Sequence, residues 1–117
     1  MSASGSTDSW VRACRLTALG ENEPVHVDIG QCPVCLVRSG GAVYALRDEC
    51  THQAVPLSEG EVSDGVIECW MHGSRFDLAT GRELSLPATR PVAVFAVRAD
   101  GGNVFVRMGD GECEPAG

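Results

Sequence analysis

Two short runs of cysteine and histidine are the residues of this chain that could do chemistry. The first run is Cys50-x-His52 and the second is Cys69-x-x-His72, separated by residues 53–68. Thiolates and imidazoles are ligands for both iron and zinc. In an iron–sulfur centre, two neutral imidazoles in place of two thiolates remove two negative charges, which makes the centre easier to reduce. The spacing therefore indicates a metal centre that could carry electrons.

A structural zinc site is the main alternative, because two cysteines and two histidines also form a tetrahedral zinc set. Zinc fingers usually pair Cys with Cys and His with His along the chain, whereas each run here mixes the two types. Buried thiols with unrelated surface histidines would be a simpler explanation. It leaves unexplained why two of only three histidines fall at ligand spacing.

The two runs, with Gly73-Ser74 after the second, resemble the Rieske [2Fe-2S] family, and the resemblance covers nearly the whole chain. It implies one [2Fe-2S] cluster per chain. By resemblance, Cys50 and Cys69 hold one iron, and His52 and His72 hold the other.

The sequence predicts that short β-strands position these residues. Alternating or β-branched runs are separated by glycine-rich turns, and no segment of helix length has a 3.6-residue period. The turns at residues 39–41, 63–65 and 100–102 predict hairpins, and residues 92–98 are predicted to form one strand. This pattern predicts an all-β fold, an antiparallel β-sandwich or barrel, in a single domain over residues 1–117. The resemblance implies the β-sandwich of the Rieske fold, with a small inserted cluster-binding subdomain at about residues 47–88 and a covering loop at Pro87. We expect residues 1–9 and 109–117 to be flexible.

Departures from the family pattern suggest how such a cluster would be tuned. Respiratory relatives carry two further cysteines that pair as a disulfide, and Val55 and Met71 stand in those places here. Ser74 keeps a hydroxyl that implies a hydrogen bond to the cluster, but Phe76 replaces a tyrosine. Fewer donors stabilise the reduced cluster less, so we expect a potential near the low end of the Rieske range, about −150 mV. Pro87 completes the set of expected tuning residues.

The other cysteines and the third histidine lie outside the two runs. Cys32-Pro33-Val34-Cys35 has the Cys-x-x-Cys spacing of thioredoxin-like exchange, but it leads into a strand pattern instead of a helix. We expect a turn cysteine and a core cysteine, and in a reducing compartment metal ligation before disulfides. His26 falls on the polar side of a strand and should be exposed.

Composition narrows the function. The net charge of −7 disfavours nucleic acid as a partner. The sequence shows neither a signal peptide nor a membrane-spanning apolar run, so we expect a cytoplasmic protein, monomeric by default.

The resemblance is strongest to actinobacterial dioxygenase-type ferredoxins, which implies a one-electron carrier from a flavin reductase to a terminal aromatic-ring oxygenase. The chain cannot be the oxygenase itself, because only His26 remains for a second, mononuclear iron site. An alternative is a redox or interaction partner of the Suf iron–sulfur assembly system. A further alternative is a module like the small subunit of nitrite reductase.

Overall fold

The computed structural model describes residues 9–51, 55–71, 73–86 and 88–108, and these residues form strands, turns and two short 3₁₀ turns. The predicted all-β fold is confirmed. No helix in these ranges is long and apolar enough to cross a membrane. The 3₁₀ turns are Leu16–Ala18 and Leu57–Glu59. The strands are β1 (Ser9–Arg15), β2 (Val25–Ile29), β3 (Cys32–Ser39), β4 (Ala42–Arg47), β5 (Glu61–Ser63), β6 (Val66–Glu68), β7 (Arg75–Asp77), β8 (Val94–Phe95), β9 (Val97–Asp100) and β10 (Asn103–Met108).

The strands form three antiparallel sheets. Sheet one has the order β1-β10-β9, sheet two the order β2-β3-β4-β8, and sheet three the order β5-β6-β7. Sheet three lies inside residues 47–88, the range that we assigned to a cluster-binding subdomain, and the separate folding of that range stays a prediction. Ser9 begins β1, while the rest of the two expected flexible ends lies outside the described residues.

The predicted hairpins form, and two-residue turns containing glycine connect their strands. Gly40 and Gly41 join β3 to β4, Asp64 and Gly65 join β5 to β6, and the Gly101-Gly102 pair joins β9 to β10. All of these residues have φ between +53° and +83°, a region that glycine enters without strain. Two-residue turns of this kind match the twist of antiparallel strands, so turn chemistry sets the register.

The sequence predicted one strand over residues 92–98, and the structure divides it. β8 pairs with β4 in sheet two, whereas β9 pairs with β10 in sheet one, and Ala96 lies between them. A strand that passes from one sheet to the other forms the corner of a packed pair of sheets. Residues 92–97 are an unbroken apolar run that passes through the corner, so the sequence pattern could not reveal the change of partner.

The core lies on both faces of β3. Val34 and Leu36 belong to one apolar cluster together with Val104 of sheet one. Cys35 and Val37 point into a second cluster that includes residues of sheet three. All four β3 residues have no exposed surface, which explains why this strand is a continuous apolar run.

We expect the fold to require glycine at position 81, because the backbone of Val92, just before β8, packs directly against it. A Cβ at Gly81 would lie 2.1 Å from the carbonyl oxygen of Val92, whereas a Cβ at Gly65 would meet nothing within 4 Å. The two φ angles are nearly equal, +77° and +76°. We expect Gly65→Ala to lower the free energy of unfolding by about 1–2 kcal/mol, from the left-handed backbone alone.

Gly81→Ala should cost a further 1–3 kcal/mol or so, because the new methyl group overpacks against the backbone. Urea unfolding of both variants measures the difference. Equal losses in the two variants would mean that the contact between Gly81 and Val92 does not constrain the fold.

Candidate metal centre

The two candidate cysteines begin two loops of the same design. Cys50 follows β4, and its N–H donates to the carbonyl oxygen of Val55 at 2.9 Å. Cys69 follows β6, and its N–H donates to the carbonyl oxygen of Ser74 at 2.7 Å. Each loop is thus closed by a bond from its cysteine to the residue five positions on. The sequence showed two similar cysteine–histidine runs, and the structure closes both in the same way.

Both thiols belong to one apolar cluster. Cys50 is 3% exposed and Cys69 is 2% exposed, and the two side chains pack in the same core as Leu57, Ile67 and Phe76. Burial of thiols among apolar side chains excludes water from any metal that they bind, which suits a redox centre more than a solvent-exposed site. The fold therefore brings together two residues that lie far apart in the sequence.

Ser74 supplies a second sign that a group fits here. The residue is 1% exposed, and its Oγ has no hydrogen-bond partner within the described ranges. A buried hydroxyl without a partner costs about 1–3 kcal/mol, so such atoms are rare unless they face a bound group. Ser74 closes the loop that Cys69 begins, and its expected hydrogen bond to a cluster stays a prediction.

Phe76 lies on β7, opposite Ile67 on β6, and is fully buried in the cluster that contains both cysteines. Its role in tuning stays a prediction. His52, His72 and Pro87 lie outside the described residues. In the ranges that the structure describes, no three His, Cys, Asp or Glu side chains gather into a metal site. Ligation of a metal by Cys50 and Cys69 together with His52 and His72 stays a prediction.

A buried carboxylate that the sequence did not single out anchors the chain just before Cys50. The Asp48 side chain has no exposed surface. Its Oδ1 accepts from the backbone N–H of Ser58 at 2.7 Å, and its Oδ2 lies 2.6 Å from Ser58 Oγ and 2.5 Å from His26 Nδ1. These bonds tie the start of the Cys50 loop to β2 and to the 3₁₀ turn at Leu57–Glu59. His26 is half-exposed as expected, but its ring also contacts Asp28 at 2.9 Å.

The Cys-x-x-Cys pair does not form a dithiol site. Cys35 carries a free thiol with no exposed surface, and burial, with a further contribution from the charge of Asp48, raises its pKa. A thiol whose pKa is raised is a poor nucleophile. Cys35 is therefore the core cysteine that we expected. Cys32 begins β3 instead of lying in a turn, and it is disulfide-bonded, which the expected preference for metal ligation over disulfides did not anticipate.

Comparison with known proteins agrees with this geometry. A family model described as "Rieske [2Fe-2S] domain" matches residues 9–96. The 3-phenylpropionate/cinnamic acid dioxygenase ferredoxin subunit of Escherichia coli (strain K12) is 34% identical over 99 residues, which cover 84% of this chain and 92% of that protein.

Two solved structures are similar in fold as well. The ferredoxin of carbazole 1,9a-dioxygenase from Nocardioides aromaticivorans IC177 is 34% identical with a TM-score of 0.81, covering 84% of this chain and 96% of that one. A chain in the complex of reduced oxygenase and oxidized ferredoxin in carbazole 1,9a-dioxygenase is 37% identical, with a TM-score of 0.78. That match covers 83% of this chain and 91% of the other.

The His26–Asp48 contact should make stability depend on pH. The hydrogen bond to Asp48 is the main cause that raises the pKa of His26 in the folded protein, and Asp28 raises it further. Stabilisation by protonated His26 is then complete below the unfolded pKa of about 6.5 and is lost as pH rises through the folded pKa. We expect His26→Gln to remove this decline in the free energy of unfolding, measured by urea denaturation across that pH window.

Asp28→Asn is the matched control, because it removes only the more exposed partner. It should reduce the decline without abolishing it. A wild-type pH profile that persists in His26→Gln would assign the titration to another group.

Proposed function

The chain belongs to the Rieske [2Fe-2S] domain family, and we propose that it is the ferredoxin component of an aromatic-ring dioxygenase system. In this role it carries one electron at a time to a terminal oxygenase. The burial of Cys50 and Cys69 in one core, beside the unpartnered hydroxyl of Ser74, is the observation that supports this proposal best. Its relatives include dioxygenase ferredoxin subunits that it matches over most of their length.

The ligands of the cluster are part of the proposal. Cys50 and Cys69 would bind one iron as thiolates, and His52 and His72 would bind the other as neutral imidazoles. When bound, a cluster of this type supplies reversible one-electron chemistry at a potential above that of an all-cysteine centre. The protein's own part is to bury the thiolates, hold the two loops at a fixed separation and direct the Ser74 hydroxyl into the site.

Electron transfer and not catalysis is the function that these residues support. A Rieske oxygenase needs a second iron site with two histidines and a carboxylate. His26 is the only histidine outside the two runs, and its two ring nitrogens contact Asp48 and Asp28. The chain is the carrier of such a system and not its oxygenase.

Exposed apolar side chains next to the second loop support a protein partner at this end. Trp70 is 52% exposed and follows Cys69 directly, and Leu84 and Leu86 are 50% and 77% exposed. The Leu84 N–H donates to the carbonyl oxygen of Arg75, which places this segment beside the loop that Cys69 begins. Exposed apolar surface of this kind is typical of contact sites for other proteins.

One similar structure is a complex of oxygenase with ferredoxin. We propose the same type of partner here, with a flavin-dependent reductase as the electron donor. A cytoplasmic location and a monomeric state belong to this proposal as well. The alternative role in Suf assembly receives no support from the relatives described above.

The test is anaerobic reconstitution followed by electron transfer. The wild type should contain about two iron and two sulfide ions per chain. After reduction it should be reoxidised rapidly by the oxygenase of a carbazole dioxygenase system in stopped-flow absorption. Cys50→Ala and Cys69→Ala should lose iron, sulfide and electron transfer together, because metal binding is linked to folding of the two loops.

Cys14→Ala is the matched control, since Cys14 is a partly buried free thiol on β1 in a different core cluster. It should keep its iron and its reactivity. Stoichiometric zinc without sulfide, or full iron retention in both Cys50→Ala and Cys69→Ala, would refute the assigned centre. Slow transfer with a complete cluster would instead refute only the choice of oxygenase.

A second test asks whether Ser74 raises the reduction potential of the cluster. A hydroxyl that donates to the cluster favours the reduced, more negative state, so Ser74→Ala should lower the reduction potential. A hydrogen bond to a charged group contributes about 1.5–3 kcal/mol, and only the difference between oxidation states acts on the potential. Because roughly 59 mV corresponds to a tenfold change for one electron, we expect a fall of several tens of millivolts in protein-film voltammetry.

Ser63→Ala is the control, since Ser63 is an exposed residue on β5. Its potential should equal that of the wild type. An intact cluster with an unchanged potential in Ser74→Ala would show that this hydroxyl does not face the cluster.

A further inference from the structure

Arginines are concentrated on one sheet face that has no part in the metal centre. The chain has nine basic residues and a net charge of −7, yet four of its arginines lie on the outer face of sheet one. Strand pairing places them there: Trp10 pairs with Arg107, and Phe105 pairs with Arg12 on one side and with Arg98 on the other. Residues directly opposite one another in a sheet share a face. The basic–aromatic face, as we name it, consists of Trp10, Arg12, Arg15, Arg98, Phe105 and Arg107.

A β-bulge accounts for the position of Arg15. Residues three apart on a regular strand point to opposite sides of the sheet, so Arg12 and Arg15 should not share a face. The register of β1 against β10 shifts between Arg12 and Cys14, and Arg15 then pairs with Asn103, two residues from Phe105. Bulges of this kind redirect side chains and occur next to functional sites.

The opposite side of the same strands packs against the core, which leaves the basic–aromatic face toward solvent. Val104 and Val106 on β10 have no exposed surface and pack in the core with Leu36. Trp10, by contrast, is 37% exposed, one of the few large apolar side chains at the surface. The sheet is therefore two-sided, and its outer side carries mainly arginines and aromatic rings, with Asn103 and Asp100 at one end.

Contacts within the face hold these groups in place. The guanidinium carbon of Arg98 lies 4.7 Å from the centre of the Trp10 ring, a cation–π distance. Arg12 Nε donates to Asn103 Oδ1 at 2.8 Å, which occupies one of the five donor hydrogens of that guanidinium. At the end of the face a cleft of about 590 Å³ is lined by Arg12, Arg15, Thr17, Gly101, Gly102 and Asn103.

We propose that the basic–aromatic face docks an acidic segment of a partner protein. Carboxylates of the segment would bind the forked donors of Arg12 and Arg15, while apolar side chains pack on Trp10 and Phe105. The arginine fork matches a carboxylate with two parallel hydrogen bonds. Tryptophan and arginine are also the residues that dominate the energy of protein interfaces.

Charge complementarity selects this occupant. A chain of net charge −7 repels an acidic partner over most of its surface, so an acidic segment can approach only where cations are concentrated. Nucleic acid is the less favoured occupant, because its closely spaced phosphates would meet the repulsion of the whole chain. Asp100, opposite Asn103 at the edge of the face, repels either anionic occupant and does not distinguish between them.

The test uses the holoprotein and two defined probes, poly-L-glutamate and a copolymer of glutamate and tyrosine. Isothermal titration calorimetry at low salt should show binding of both, with tighter binding of the copolymer because its rings pack on Trp10. Arg15→Glu should weaken binding by about tenfold, from a lost attraction and an added repulsion. Trp10→Ala should abolish the advantage of the copolymer over poly-L-glutamate.

Arg82→Glu is the matched control, since Arg82 is an exposed arginine after β7 and its reversal changes the net charge by the same amount. It should bind both probes like the wild type, and the visible spectrum of the cluster should be the same in all variants. If Arg82→Glu lost as much probe affinity as Arg15→Glu, net charge alone would explain the weaker binding and the proposal would be overturned. A failure of the wild type to bind either probe would overturn it as well.

Two other occupants give distinct results. Tighter binding of a deoxythymidine oligonucleotide than of the copolymer would identify a nucleic-acid surface and overturn the proposal. Binding of the copolymer only after Asp110→Asn, Glu112→Gln and Glu114→Gln are combined would assign the face to the chain's own acidic end, which also overturns it.

Discussion

The buried carboxylate of Asp48 is the interaction on which the geometry of the centre depends. Removing a carboxylate from water is costly unless its oxygens accept hydrogen bonds or meet a cation. Ser58 supplies two donors and His26 a third, from two separate elements. The chain can satisfy Asp48 only when β2, the end of β4 and the turn at Leu57–Glu59 are in place together. The Cys50 loop starts two residues later, so the same bonds that satisfy Asp48 also set where that thiol lies.

β3 divides the rest of the molecule into two parts with different tasks. Cys35 and Val37 face the core that holds the two candidate metal thiols, and Val34 and Leu36 face the core that supports sheet one. Because one strand contributes to both cores, the two parts form a continuous packed structure. A metal centre on one side and a basic–aromatic face on the other can therefore be held rigidly without a linker between them.

The two surfaces differ in the partner that they suit. Apolar side chains such as Trp70 and Leu86 are exposed around the cysteine loop, while arginines and aromatic rings cover the outer side of sheet one. An electron carrier has to meet both a donor and an acceptor, and brief contacts through small surfaces favour rapid exchange of partners. Separate surfaces of unlike chemistry would let one partner stay bound while another exchanges electrons.

The all-β class, the hairpin turns and the two cysteine–histidine runs could be predicted from the sequence, because each depends on residues close together in the chain. Turn glycines at Gly40 and Gly65 need positive φ wherever the strands lie, and ligand spacing at Cys50 and Cys69 is likewise local. For the metal centre, spacing and resemblance predict the four ligands, and that set stays a prediction. The burial of the two thiols in one core could not be predicted from the sequence.

Tertiary structure alone decided the features that depend on distant pairing. His26 and Asp48 lie 22 positions apart and meet only after β2, β3 and β4 have paired. The division of residues 92–98 between two sheets falls within an unbroken apolar run, so no periodicity could reveal it. The common face of Arg12 and Arg15 depends on a bulge against β10, at the far end of the chain. Local sequence determines which conformations a segment can adopt, but the partner that a strand pairs with is chosen by the packing of the whole core.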